Sequence, residues 1–137
     1  MILGRISFCR RAWDMTHARV ALGKMGEDLA CRELEGRGYA IIARRYRSRS
    51  GEIDIVARDG DTIVFVEVKA RENRAFGDAA EAVTGVKQRK IVQLAAEYLM
   101  RHHLANRPCR FDVVSIHFDD GRPAIELFQN AFDAGTT

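Results

Sequence analysis

Apolar residues recur along this chain with two different periods. From Thr16 to Arg37 they return at three- and four-residue steps, through Leu22, Met25 and Leu29. That is the spacing of an amphipathic helix, and Gly36 and Gly38 supply a C-terminal stop. The period then drops to two. YAIIARRY (Tyr39 to Tyr46) reads as a strand and RSRSG as a polar loop. EIDIVAR and DTIVFVEVK read as two strands joined at Asp59-Gly60, a dipeptide that marks a tight hairpin. The second of them is apolar on both sides, the signature of a strand covered on both faces. ARENRAFGD is a loop. Helical spacing resumes at about Ala79, breaks near Thr84-Gly85 and runs from Val86 to about His103, with Ile91, Leu94, Ala95, Tyr98 and Leu99 on the apolar face. RFDVVSIHF and RPAIELF are two further strands turning at Asp120-Gly121, and NAFDAGTT is a frayed tail. The order is αβββαββ, an α/β (α+β) chain.

The length of 137 residues fits one domain, placed at 16–130 between tails at 1–15 and 131–137. The stretch MILGRISFCRRAWDM is basic but lacks the apolar core of a secretory signal, and Met15 is an alternative natural start. No apolar run reaches the roughly 18 residues of a membrane-spanning helix, so no membrane partner is expected. Cys9, Cys31 and Cys109 are far apart with no CxxC pair. Reduced thiols in a cytoplasmic protein are the plain reading.

The formal net charge of +3 leans mildly toward acidic partners. Its distribution says more. Arg44, Arg45, Arg47 and Arg49 precede the hairpin, Arg71 and Arg74 follow it, and Lys87, Arg89 and Lys90 come next. Such runs are either solvated faces or a nucleic-acid contact, and charge alone weighs the two about evenly.

The hairpin itself carries Glu52, Asp54, Glu67 and Lys69 among Ile, Val and Phe. Alternation puts Glu52, Asp54 and Val56 on one face and Ile53 and Ile55 on the other. With Asp59-Gly60 as the turn, Val56 faces Ile63, Asp54 faces Phe65 and Glu52 faces Glu67. All four charges then share a side, with Asp54 diagonal to Glu67. A solvent-facing sheet with cross-strand salt bridges is the commoner fate of such residues. Against it, these strands end in charges after long apolar runs, and Glu52 opposite Glu67 is repulsive without a cation. Two carboxylates and a backbone carbonyl suit a hard ion such as Mg²⁺. On the first helix Glu27 shares a face with Val20, Gly23, Ala30 and Leu34. It either snorkels from the edge of that stripe or faces something that wants negative charge.

Asp54 and Glu67-Val68-Lys69, with Glu27 on a preceding helix, resemble the PD-(D/E)xK nuclease superfamily. More narrowly, GEDLACRELEGRGYAIIARRYRSRSGEIDIVARDGDTIVFVEVKAR is similar to the YraN-like bacterial family, related in fold to archaeal Holliday junction resolvases. The likeness runs from about Gly23 to Phe118. It implies a restriction-endonuclease-like fold, a central mixed β-sheet flanked by helices. It implies that Asp54 and Glu67 bind the metal, with the Val68 carbonyl as a further ligand and Glu27 completing the site through water. Lys69 would position or activate the attacking water, and Gln88 is a weaker match to a polar residue of the second helix. Ile53 stands where the name-giving proline would be. The implied cofactor is Mg²⁺, with Mn²⁺ as an alternative. The implied partner is nucleic acid, DNA ahead of RNA, contacted through Arg44, Arg45, Arg47, Arg49, Arg71 and Arg74. The expected activity is endonucleolytic hydrolysis of branched DNA or DNA ends. Junction resolvases favour a homodimer, a point the sequence leaves open. Metal-assisted hydrolysis needs no histidine base, in keeping with His102 and His103 at a helix end and with His17 and His117 isolated; Trp13 has no assigned role. Two other readings stand beside it: a nucleic-acid-binding module of the same fold that does not cut, and an interaction domain whose charges form only a salt-bridge cluster.

Overall fold

The apolar run Ile63–Val66 lies at the middle of the molecule, because helices cover both faces of its strand. The computed structural model describes residues 7–71 and 83–134; for residues 7–21 only the backbone is described, so the side chains of Trp13 and His17 lie outside it. The elements are α1 (Ser7–Gly36), β1 (Ala40–Ser48), β2 (Gly51–Asp59), β3 (Thr62–Arg71), α2 (Gly85–Arg101), β4 (Cys109–Asp119) and β5 (Arg122–Phe132). The strands form one five-stranded sheet in the order β1-β2-β3-β4-β5. Only β3 and β4 run parallel, joined by the crossover that contains α2. The mixed sheet and the αβββαββ order are as expected, and consistent with a restriction-endonuclease-like fold. Among the described residues, no helix is long and apolar enough to cross a membrane.

Each sheet face has its own core. On one, Ala30, Cys31 and Leu34 of α1 pack on Ile55, Ala57, Val64, Val66, Val114 and Ile116. On the other, Ile91, Leu94, Ala95 and Tyr98 of α2 pack on Val56, Ile63, Phe65, Phe111 and Val113. The α2 face is the one expected. The α1 face is not: Met25 is half exposed, and the buried stripe runs through Gly26, Glu27, Ala30, Cys31 and Leu34. Small residues let the helix lie close to the sheet there. A Cβ added at Gly26 would sit 2.7 Å from the Ala70 Cβ, whereas one at Gly23 meets nothing. Gly26→Ala is therefore expected to destabilise by about 1–3 kcal/mol through overpacking. Gly23→Ala should be neutral or gain up to about 1 kcal/mol from helix propensity. Urea denaturation of both variants separates the effects, and equal midpoints would remove the close-packing argument.

Several boundaries differ from expectation. Helix α1 begins at Ser7, well ahead of Thr16. It ends as Gly36 and Gly38 indicate: Gly38 has φ +94, and the Tyr39 and Gly38 N–H groups donate back to Leu34 and Glu35 carbonyls. Helix α2 starts at Gly85 with Thr84 as its N-cap, the Thr84 hydroxyl accepting from Lys87 N. The expected helical start at Ala79, most of the ARENRAFGD loop and the last three residues lie outside the described residues. The Asp120-Gly121 turn is present with φ of 51° and 76°, as a type I′ hairpin turn requires. Strand β5 does not fray after Phe128 but continues to Phe132. Its far end is held because Asn130, at φ 53°, donates its N–H to the buried Asp112 carboxylate.

Candidate active site

Hairpin β2–β3 is paired only near its turn. Asp59 pairs with Thr62, so Gly60 and Asp61 form the turn, one residue later than expected, and Val56 pairs with Phe65 rather than with Ile63. This changes the register by two residues. Asp54, Glu67 and Lys69 nevertheless meet: the Glu67 charge bears directly on Asp54, and Lys69 Nζ lies 3.7 Å from Glu67 Oε1. The ladder stops at Ile55–Val66. Beyond it, the Val68 N–H donates to Asp54 Oδ2 at 2.8 Å, so a side chain takes the place of the strand partner. Strict alternation also fails here. Ile53 packs in the α2 core, yet Ile55 packs in the α1 core, so the two isoleucines do not share a face. On the neighbouring strand Arg45 has φ 52°, a left-handed conformation that kinks β1 beside Asp54.

The opened strand ends leave two clefts that share Asp54. One, of about 510 Å³, is lined among others by Lys24, Glu27, Arg45, Arg47, Asp54 and Lys69. The other, of about 520 Å³, lies toward α2 and is lined by Glu52, Asp54, Thr84, Lys87, Lys90 and Leu94, among others.

Behind Asp54 lies Glu67, only 4% exposed. Its Oε1 is 3.7 Å from Lys69 Nζ and 2.5 Å from Lys87 Nζ. Burial, reinforced by the negative charge of Glu67, pushes the Asp54 carboxyl up to about 7. Burial also lowers the Lys69 ammonium, with the Lys87 charge adding to it. For Lys87 burial is again the largest influence, but the hydrogen bond and charge of Glu67 outweigh it and raise the pKa. A carboxyl whose folded pKa lies above its unfolded one binds its proton more tightly in the folded state. Its stabilisation is complete at low pH and disappears as pH rises through about 7. Metal-free protein should thus lose on the order of 2–4 kcal/mol from this group between about pH 4 and pH 8. Asp54→Asn should flatten that slope in a pH series of urea denaturations; an unchanged slope would contradict the assignment.

The remaining candidates separate. Glu27 does not snorkel from the edge of its stripe: it is buried, and its Oε1 and Oε2 accept from Arg44 and Arg45 of β1 at 3.0–3.2 Å. Arg44 also donates to Asp28. Glu52 does not face Glu67: it pairs across the strands with Arg47 at 2.9 Å, which removes the expected repulsion. Arg49 is in the loop after β1, which Glu97 of α2 holds by accepting from the Ser48 and Ser50 hydroxyls. Gln88 turns back to its own helix start, donating to the Val83 carbonyl at 2.9 Å. Arg71 ends β3 and Arg74 lies outside the described residues. His117 is buried, its Nε2 3.1 Å from Ser115 Oγ. Sequence reasoning missed Lys87 as part of the site. One signal was available: a lysine in the first turn of a helix opposes the helix dipole, so something other than helix stability places it there.

Among the described residues no group of three or more His, Cys, Asp and Glu side chains is arranged to hold a metal ion. Asp54 and Glu67 are nevertheless paired hard oxygen donors, and the burial that opposes Asp54 ionisation is what a bound cation relieves. Two carboxylates with water suffice for Mg²⁺, which keeps much of its hydration shell.

Comparison with known sequences gives a consistent picture. The sequence model of a family described as "Uncharacterised protein family UPF0102" matches residues 26–116. A UPF0102 protein of Symbiobacterium thermophilum is 51% identical over 114 residues, covering 82% of this chain and 97% of that protein. A UPF0102 protein of Geotalea uraniireducens is 48% identical, covering 82% and 90%. One of Pseudomonas aeruginosa is 43% identical, covering 82% and 92%.

Proposed function

Because the chain belongs to the uncharacterised protein family UPF0102, whose description carries no activity, we propose its function from the site: metal-dependent endonucleolytic hydrolysis of phosphodiester bonds in DNA. One observation carries this reading. The carboxylates of Asp54 and Glu67 are buried together where the sheet opens, with Lys69 at the cleft and the arginines of β1 along its rim.

Asp54 and Glu67 would hold Mg²⁺ or Mn²⁺, with the Val68 carbonyl as a further ligand. Such an ion would supply charge neutralisation at the phosphate and acidify a water molecule. Lys69, half-desolvated and tethered to Glu67, is placed to donate to the attacking water or to the developing charge at phosphorus. The water oxygen bonds to phosphorus, the bond to the leaving sugar oxygen breaks, and that oxygen takes up a proton. Glu27 acts at one remove. It orients the Arg44 and Arg45 guanidinium groups, and Arg45 and Arg47 line the cleft where flanking phosphates would lie. Phosphate contacts position a duplex without reading its sequence. Selection of branched DNA or ends, cytoplasmic location and dimerisation on a two-fold substrate belong to the same proposal.

The test is a panel of four-way junction, flap, single strand and duplex DNA, with matching RNA, each with Mg²⁺ or Mn²⁺. Metal-dependent cleavage of at least one DNA substrate is expected, and no cleavage of any would sink the reading. One observation favours the non-cutting alternative, a binding module: Lys87 already occupies Glu67. In that case wild type and Glu67→Ala would bind DNA alike, with affinity falling steeply as salt rises.

A further inference from the structure

Lys87 contacts Glu67 in a way that the proposed chemistry leaves unexplained. Its ammonium is 2.5 Å from Glu67 Oε1. It reaches there from the first turn of α2, a turn with no acidic residue. A cation in that turn works against its own helix, so the contact with Glu67 is what compensates it. The side chain is not trapped. It is 44% exposed and lines the α2-side cleft together with Lys90 and the Thr84 cap. That cleft touches Asp54, the carboxylate shared with the other cleft.

These facts fit two positions of one side chain. We propose that Lys87 is a built-in counter-ion that competes with the divalent cation for Glu67. When the cation binds, the released ammonium swings into the α2-side cleft and engages a substrate phosphate. The inference rests on the metal-dependent reading above and deepens it. A divalent cation on Glu67 would repel the Lys87 ammonium that already lies 2.5 Å from its Oε1, so binding of one weakens binding of the other. Lys90 and the N–H groups at the start of α2 help make that cleft attractive to a phosphate. The metal-free protein then keeps its carboxylates compensated, and phosphate affinity at this cleft increases only after the metal arrives.

The competition predicts opposite changes from one substitution. Lys87→Met keeps the length of the side chain and removes its charge. By calorimetry it should bind Mn²⁺ about tenfold more tightly than wild type. With Ca²⁺ present to hold the site without turnover, its affinity for a short fluorescein-labelled single-stranded oligonucleotide should drop about three- to tenfold, the loss of one phosphate contact. Lys87→Arg, which keeps the charge, should stay near wild type in Mn²⁺ affinity. Equal or weaker Mn²⁺ binding by Lys87→Met overturns the inference, as does unchanged oligonucleotide affinity in Ca²⁺. If neither protein takes up Mn²⁺, the metal-dependent reading falls and this inference with it. A measurement on the unaltered chain guards against a folding defect. With lysine ¹³Cε labelling, Mg²⁺ should shift the Lys87 resonance, and a resonance that stays in place counts against displacement.

Discussion

Glu67→Gln is expected to lower metal-dependent cleavage by about a thousandfold or more while the chain remains folded. Glu67 is where the site converges. It shares a buried site with Asp54, and it tethers both Lys69 and Lys87 through one oxygen. The amide keeps the shape but loses the charge that would hold a cation and that faces Lys69. Stability should change little or rise, because the substitution removes the negative charge that opposes Asp54 ionisation. Single-turnover cleavage, with Mn²⁺ calorimetry and a thermal melt on the same sample, checks all three expectations. Glu52→Gln is the matched control. Glu52 is an exposed rim carboxylate paired with Arg47, and its loss should cost no more than a few fold. Cleavage by Glu67→Gln within a few fold of wild type would end the catalytic assignment.

Asp112→Ala should cost about 2–4 kcal/mol of stability, because it leaves a partly buried guanidinium, the Tyr39 hydroxyl and the Asn130 N–H without their shared acceptor. Asp112 is fully buried in β4. Its Oδ1 accepts from Arg110 Nε and the Asn130 N–H, both at 2.9 Å. Its Oδ2 accepts from Tyr39 OH at 2.9 Å and from Arg110 Nη2 at 3.0 Å. Gln129 donates to the same tyrosine oxygen, and Arg110 reaches on to Asp59. This network ties the end of α1, the hairpin turn and the end of β5 together, away from the clefts. Urea denaturation should show the loss, and Arg110→Met added to Asp112→Ala should recover part of it. A cost under about 1 kcal/mol would mean that water replaces the network.

The α2 core face and the β2–β3 and β4–β5 hairpins were legible because each rests on local physics: apolar periodicity and turn residues that tolerate positive φ. Ile91, Leu94, Ala95 and Tyr98 are buried as the period indicated. The meeting of Asp54, Glu67 and Lys69 was legible despite a turn misplaced by one residue, because a two-residue change of register keeps the paired residues on their faces, although strict alternation fails at Ile53. The α1 stripe was misjudged because close approach to the sheet favours Gly26 and Ala30 over the larger Leu22 and Met25, and size matters only against a partner.

The amino-acid order by itself determined the element sequence, the doubly covered central strand, and the carriage of Glu67 and Lys69 to its end with Asp54 on the neighbouring strand. Family membership followed from the same residues. Tertiary structure decided the rest. It parted β2 from β3 at Asp54, drew Glu27 to Arg44 and Arg45, sent Gln88 back to its own helix start and brought Lys87 onto Glu67. The reason is range. Period and turn chemistry act over a few neighbouring residues. The meeting of Glu67 with Lys87 depends instead on how a crossover lays the start of α2 against the sheet, and no local pattern encodes that placement.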